Sequence, residues 1–135
     1  MEVCVVEVDW TVRAIRGATT ASENSPEAIR EAVWELLDEL ERYNAFDPKQ
    51  IISATFSVTR DLDALFPASV ARKRPRWENV PLLDVQHMHV ENDLERCIRF
   101  LIHVHLSASA RVYHPYLRHA QSLRPDWSLS AIGSQ

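Results

Sequence analysis

Six histidines, two cysteines and a basic set made almost entirely of arginine are the side chains of this sequence with chemistry to offer. His87/His89 and His103/His105 form two His-x-His pairs. Residues two apart on a strand project to one face, so each pair can chelate a metal together with one carboxylate, Asp84 or Glu91. The plainer reading is a partly solvated sheet face or an interface. Without Cys or carboxylates at firm ligand spacing, no metal is expected. No G-x-S-x-G elbow is present, the only two glycines, Gly17 and Gly133, cannot build a phosphate loop, and neither Cys4 nor Cys97 lies in a nucleophile context. Asp61, Asp63, Asp84 and Asp93 show no acid–base pairing by spacing alone. The run Arg72-Lys73-Arg74-Pro75-Arg76 reads either as a nucleic-acid patch or as a solvated helix end, and the net charge of -4 favours the second.

The arginines are the sharper signal. Of the 15 basic residues only Lys49 and Lys73 are lysine, which leaves 13 arginines, an excess that biased codon usage would also produce. Guanidinium stays charged when desolvated and offers a planar fork of donors suited to carboxylates and phosphates. Arg99 projects from a strand otherwise rich in Ile, Phe and Leu, where an unpaired charge would cost several kcal/mol, so it must find an anion or a carbonyl. Arg16 precedes Gly17-Ala18-Thr19-Thr20, and Arg124 stands in Leu123-Arg124-Pro125-Asp126. Together they can form a cationic pocket for a small dianion. Structural pairing with Asp or Glu is the competing reading.

Those side chains need elements to hold them. Val12 to Arg16 reads as a strand that Gly17 to Thr20 should end. Ser25 as N-cap, Pro26 at the first helical position and Glu27 at the positive end of the dipole start a helix. Its apolar stripe is Ile29, Val33, Leu36, Leu37 and Leu40, opposite Glu31, Glu35, Asp38, Glu39 and Glu41, and it should end near Tyr43-Asn44. Trp34 lies off that stripe and can mark a contact surface. Ile52, Ala54, Phe56 and Val58 alternate with Ser53, Thr55, Ser57 and Thr59, a strand whose second face carries hydroxyls instead of charges. A short helix is expected near Asp61, another turn from Pro67, and a strand over Val80 to Val85. Cys97 to Leu106 should set Ile98, Phe100, Ile102, Val104 and Leu106 on one face, with Arg99, Leu101, His103 and His105 on the other. Pro115 to Leu123 should form a final short helix, with Pro125 beyond it. Strands and helices mix without regular parallel alternation, so the fold class is α+β, a mixed sheet with helices on one face.

A chain of 135 residues with 46% hydrophobic and 25% charged residues is one ordinary globular domain, too apolar and too nearly neutral to be disordered. No apolar run approaches the ~20 residues that cross a bilayer. Met1 to Val8 is apolar, but Glu2 and Glu7 and the lack of a basic leader argue against a signal peptide. Two cysteines are too few for a disulfide framework, which favours a reducing, cytoplasmic setting. A pI near 5.8 gives no drive toward nucleic acid or an anionic membrane.

In three segments the sequence resembles the monofunctional AroH-type chorismate mutases. They are Val12-Arg13-Ala14-Ile15-Arg16-Gly17-Ala18-Thr19-Thr20, the T-x-D-L-x-A-x-F-P-A stretch from Thr59 to Ala68, and Leu123-Arg124-Pro125-Asp126. Val80-Pro81-Leu82, Cys97-Ile98-Arg99 and Tyr113-His114-Pro115-Tyr116-Leu117 extend the likeness. The domain is therefore expected over 11–128, with an extension at 1–10 and a tail at 129–135. The resemblance implies a homotrimer forming a pseudo-α/β barrel, with clefts between neighbouring subunits. The implied reaction is the Claisen rearrangement of chorismate to prephenate, on the route to phenylalanine and tyrosine, with no cofactor, metal or covalent intermediate. A fixed cation beside the breaking ether bond would bind the transition state better than the substrate, and holding the enolpyruvyl arm over the ring adds an entropic part.

By the same resemblance Arg99 stands beside the ether oxygen and a carboxylate, Arg16 at the carboxylate end, and Tyr116 donates to a carboxylate. Phe66, Ala68 and Arg72 come from the adjacent subunit, Leu83 is a further substrate-binding position, and Arg124 lies near the cleft mouth. Three positions depart from the family. His87 replaces a glutamate that accepts the ring hydroxyl, Asp84 replaces a frequent cysteine, and Ser69 replaces a lysine. Asp84 is then expected to supply the missing carboxylate, to the hydroxyl or to Arg99, provided a twist or bulge near Val85-Gln86 turns it to the right face; pairing of Asp84 with His87 is the alternative. A degenerate trimer that binds a dianionic metabolite without catalysis is the rival function.

Overall fold

Four segments with a two-residue apolar period pair into one mixed sheet, and the three-to-four period between them gives the helix that covers it. The computed structural model describes residues 9–127. Its strands are β1 (Trp10–Thr20), β2 (Ile51–Val58), β3 (Leu82–Gln86) and β4 (Cys97–Ser107), and its α-helices are α1 (Pro26–Tyr43) and α2 (Pro67–Ala71). Short 3-10 segments cover Pro48–Gln50, Arg118–Leu123 and Pro125–Trp127. The strand order is β1-β4-β2-β3, with β4 antiparallel to both β1 and β2, and β3 parallel to β2. The α+β mixed sheet with helices on one face is the architecture expected from the sequence.

The helix α1 starts as its residues dictate. Ser25 Oγ accepts the Ala28 N–H at 3.1 Å, Pro26 fills the first helical position, and Asn44 ends the helix. Ile29, Val33, Leu36, Leu37 and Leu40 are buried against Ile15 of β1 and Ile98, Phe100, Ile102 and Val104 of β4. Trp34, off that stripe, carries the Arg74 guanidinium 4.5 Å above its ring, and Arg74 also pairs with Glu41 and with Asp38 at 3.0 Å. Arg76 pairs with Asp47. Two of the arginines in the basic run are thus committed to acidic partners within the subunit, and Arg74 is buried, not solvated as the helix-end reading expects.

Four local expectations are corrected. Gly17 to Thr20 is not a turn but the second half of β1, paired with β4 as far as Thr20 opposite Cys97. Gly17 faces Phe100 on the core side, and a Cβ there would lie 2.4 Å from the ring's Cζ, so the glycine makes room for a ring and does not bend the chain. No helix forms at Asp61, because its carboxylate accepts from the Thr59 hydroxyl and from the Arg96 N–H at 2.9 Å and so fixes a turn. A register shift between Ile51 and Ser53 buries Ile51 and leaves Ile52 exposed. The final helix is a 3-10 segment that starts at Arg118, because Tyr116 bridges to Ala18 and Pro115 accepts the Ala18 N–H.

The expected extension at 1–10 lies outside the described residues apart from Asp9, whose carbonyl accepts the Ala108 N–H at 2.7 Å, and Trp10, which opens β1. The expected tail, 129–135, is wholly outside them. Gly17→Ala tests the sheet geometry directly. The Phe100 ring is buried and meets Phe56 edge-on at 6.3 Å, so it has little room to yield, and the variant should lose about 1–3 kcal/mol by urea denaturation.

Candidate active site

The α-helices cover one face of the sheet and leave most of the other bare; at its Ala18 end that face is covered by Tyr116 and Ala120. Pairing register puts Val12, Ala14, Arg16 and Ala18 of β1 on that bare face with Arg99, Leu101, His103 and His105 of β4. Ser53, Thr55 and Ser57 of β2 and Leu83 and Val85 of β3 complete it. Arg99 is flanked across the ladder by Ala18 on one side and Ser57 on the other, both small, so its guanidinium is not crowded out.

Within the subunit Arg99 is only loosely paired. Its NH2 lies 3.7 Å from Asp93 Oδ1, beyond hydrogen-bond range, and that oxygen already accepts the Leu94 N–H at 2.8 Å. The Arg99 Nε is buried with no partner among the described residues. A buried donor left unpaired costs about 1–3 kcal/mol, so this nitrogen is a standing demand for an acceptor. Cys97, two residues earlier on the same strand, is a free buried thiol beside the Arg99 side chain; burial pushes its pKa up against a weaker pull from Arg99, which keeps it protonated and poor as a nucleophile.

His87 reaches the same neighbourhood. Its N–H extends the β2–β3 ladder to the Val58 carbonyl at 3.1 Å, and its Nδ1 lies 3.1 Å from Ser57 Oγ. Its Nε2 is buried without a partner among the described residues. Burial first, and the charge of Arg99 second, hold the imidazole below its usual range, against a weaker opposite pull from Asp93 and Asp61. At neutral pH the ring is neutral; in the tautomer whose Nδ1–H donates to Ser57 Oγ, Nε2 is left as an acceptor.

Arg16, Tyr116 and Arg124 gather where the returning chain runs along the edge of β1. The Arg16 N–H donates to His114 Nδ1 at 3.0 Å, and Tyr116, almost wholly buried, packs with Ala18, Ala120, Leu123 and Trp127. Arg124 is bound by Asp126 through two bonds of 3.1 and 2.8 Å. The charges of Arg124 and Arg16 both act on His114, so both arginines lie near it. A cleft nearby is lined by Thr20, Asp93, Leu94, His119 and Leu123. His89, His103 and His105 join no group of three or more metal-ligating side chains among the described residues.

The remaining candidates lie elsewhere. Asp84 pairs in register with the core-facing Phe56, so it points to the helix side, where its Oδ1 accepts the Ala68 N–H at 2.9 Å. The β2–β3 register runs unbroken to Gln86, so the bulge that would turn Asp84 toward Arg99 is absent, and Asp84 pairs with neither Arg99 nor His87. Its expected role as the carboxylate beside Arg99 is therefore corrected: within the subunit that carboxylate is Asp93, on the connection from β3 to β4. Nothing in the spacing around Asp93 singled it out, and only the chain's return between those strands brings it near. Phe66 is 71% exposed, and Ala68, Ser69 and Arg72 accompany it on α2, with Ser69 Oγ donating to the Phe66 carbonyl at 2.6 Å. Phe66 and Asp84 line a shared groove at the outer edge of β3 together with Val85, while Leu83 is exposed on the bare face.

The family model described as chorismate mutase type I matches residues 12–127. The chain is 35% identical over 120 residues to the chorismate mutase AroH of Bacillus subtilis, covering 88% of this chain and 94% of that one. It is 42% identical over 117 residues to the chorismate mutase AroH of Thermus thermophilus, covering 85% and 95%. Among solved structures, a chorismate mutase from Clostridium thermocellum superposes with a TM-score of 0.76 at 38% identity, over 82% of this chain and 98% of that one.

The Asp84 environment makes a pH prediction. Burial raises its carboxyl above 3.8, with the Ala68 N–H and Arg72 pulling weakly the other way. A carboxyl with a raised folded pKa contributes stability below its unfolded value and loses it as pH rises through the folded one. Asp84→Asn keeps an acceptor for Ala68 and removes the buried charge. At neutral pH it should be at least as stable as the parent, and its advantage should disappear in mild acid. Asp84→Ala, which strips the cap, should lose about 1 kcal/mol at both pH values in urea titrations.

Proposed function

We infer, from the premise that this chain belongs to the type I chorismate mutase family, that it is an enzyme converting chorismate to prephenate. The observation that carries the reading is the Arg99 guanidinium, set between small neighbours on the bare sheet face with a buried Nε that lacks an acceptor. Chorismate has two carboxylates and an ether oxygen that gains negative charge as its C–O bond breaks. The intramolecular rearrangement needs no nucleophile and no proton transfer. It needs a substrate held in a reactive fold and a fixed cation where charge develops. We assign Arg99 to the ether oxygen and a carboxylate, Arg16 to the carboxylate end, Tyr116 to a carboxylate and Arg124 to the cleft mouth. His87 takes the ring hydroxyl through the neutral Nε2, and Asp93 holds Arg99 from the loop side.

The site is read as shared between copies of the chain. Phe66, Ala68, Ser69 and Arg72 are grouped around α2, on the helix side of the sheet, whereas Arg16, Arg99 and His87 occupy the bare side. One small substrate does not reach both groups within a subunit. Val12, Leu83, Val85 and Leu101 are exposed on the bare face, an apolar surface that a neighbouring copy would cover. A homotrimer with one cleft per interface meets both needs. The domain is taken as 11–128, and the buried free thiol of Cys97 suits a reducing, cytoplasmic setting. No helix among the described residues is long and apolar enough to cross a membrane.

Two measurements test this reading. Following the loss of chorismate's ultraviolet absorption, Arg99→Ala should lower kcat by at least ~10²–10³, the scale of a lost oxyanion donor. Arg99→Lys should also be poor, because a point charge cannot replace the guanidinium fork. Turnover close to the parent's in either variant would remove Arg99 from the mechanism, and a parent that leaves chorismate untouched would leave the non-catalytic binder standing. For the shared site, Arg99→Ala and Arg72→Ala proteins are unfolded together in equal amounts and refolded. About a quarter of the interfaces should then carry both native arginines and regain activity, whereas a site within one subunit regains none.

A further inference from the structure

After β4 the chain returns along the free edge of β1. Asn44 pins the return by donating to the Tyr113 carbonyl and accepting its N–H, each at 2.9 Å. Ala18 then exchanges bonds with the returning segment, to Pro115 O at 3.0 Å and from Leu117 N at 2.9 Å. Two residues earlier on the edge, the acceptor for the Arg16 N–H is a side chain, His114 Nδ1, at 3.0 Å. Because Nδ1 accepts, the ring proton sits on Nε2 and the imidazole is neutral. Burial first, and Arg124 second, keep it so by lowering its pKa.

Trp127 closes this assembly. Its ring stacks on His114 with centroids 3.9 Å apart and planes at 22°, and it meets Tyr116 edge-on at 5.9 Å. The Arg124 guanidinium lies over the same indole, 3.3 Å from its centroid, and is held in orientation by Asp126. Cation–π contact with tryptophan is the strongest of its kind, about 0.5–2 kcal/mol according to desolvation. One aromatic ring therefore touches the cation at the mouth, the phenol beside it and the imidazole that secures the backbone of Arg16.

We propose that Trp127 is a positioning residue of the chorismate site: its indole ties Arg124 to His114 and Tyr116, so that the carboxylate-binding end of the cleft is formed before substrate arrives. The role rests on the chorismate reading of Arg16, Tyr116 and Arg124. Trp127 serves capture of the dianion and touches no bond that breaks, so its removal acts on KM and spares kcat. The indole surface is what matters, and a phenyl ring supplies part of it.

The test uses steady-state kinetics of the full chain. Trp127→Leu, which keeps an apolar side chain without a ring, should raise KM about tenfold with kcat within threefold. Trp127→Phe should restore KM to within threefold of the parent, a rescue that simple loss of bulk would not give. Combining Trp127→Leu with Arg124→Ala should cost less than the two single losses added, because part of the indole's effect passes through that guanidinium. A parental KM in Trp127→Leu, equal losses in kcat and KM, or fully additive losses in the double variant would each overturn the role while leaving the site reading intact. A parent inactive toward chorismate would overturn both.

Discussion

A guanidinium with too few acceptors is the constraint around which this structure is arranged. Arg99 stands on a strand whose other face forms the core, so it cannot swing away without breaking the sheet, and its loose approach to Asp93 leaves a buried donor unanswered. A stability-driven site would have paired it more closely. The fold instead holds a charge partly desolvated and partly free, the state in which it stabilises a developing negative charge most strongly, because little reorganisation is needed when the reaction occurs.

The rest of the sheet serves that placement. Gly17 lets β1 run past Phe100 and keeps Arg16 and Ala18 in register beside Arg99. Ser57, on the hydroxyl-bearing side of β2, turns His87 so that one nitrogen is occupied and the other is open. The other arginines behave differently. Arg74 and Arg76 are committed to carboxylates, and Arg118 pairs with Glu31 and Glu35 of α1. Part of the arginine excess is thus structural, whereas Arg99 keeps a buried Nε without a partner among the described residues.

The departures from the family pattern have separate physical meanings. Burial and Arg99 favour the neutral form of His87, so in the proposed site it would stand as a neutral acceptor where the family pattern has a charged one. Asp84 has nothing to do with that exchange within the subunit, since it points to the helix side of the sheet and accepts the Ala68 N–H of α2 there. Asp93 brings a carboxylate from a loop to within 3.7 Å of the Arg99 guanidinium.

Local pattern was sufficient for α1, with its Ser25 cap, Pro26 and apolar stripe, and for the alternating faces of β4, because helix and strand periods are properties of a few consecutive residues. The motifs at Arg16, Thr59 to Ala68 and Leu123 to Asp126 were likewise readable and carried the family assignment. Three things were not readable: the direction of Asp84, the approach of Asp93 to Arg99, and the stack of Trp127 on His114. Each depends on strand register or on the path of a returning segment, and such contacts join residues that the chain itself holds far apart. The types of the functional groups were thus written in the sequence, while which of them face one another was decided only when the sheet closed, because a shift of one position on a strand exchanges its two faces.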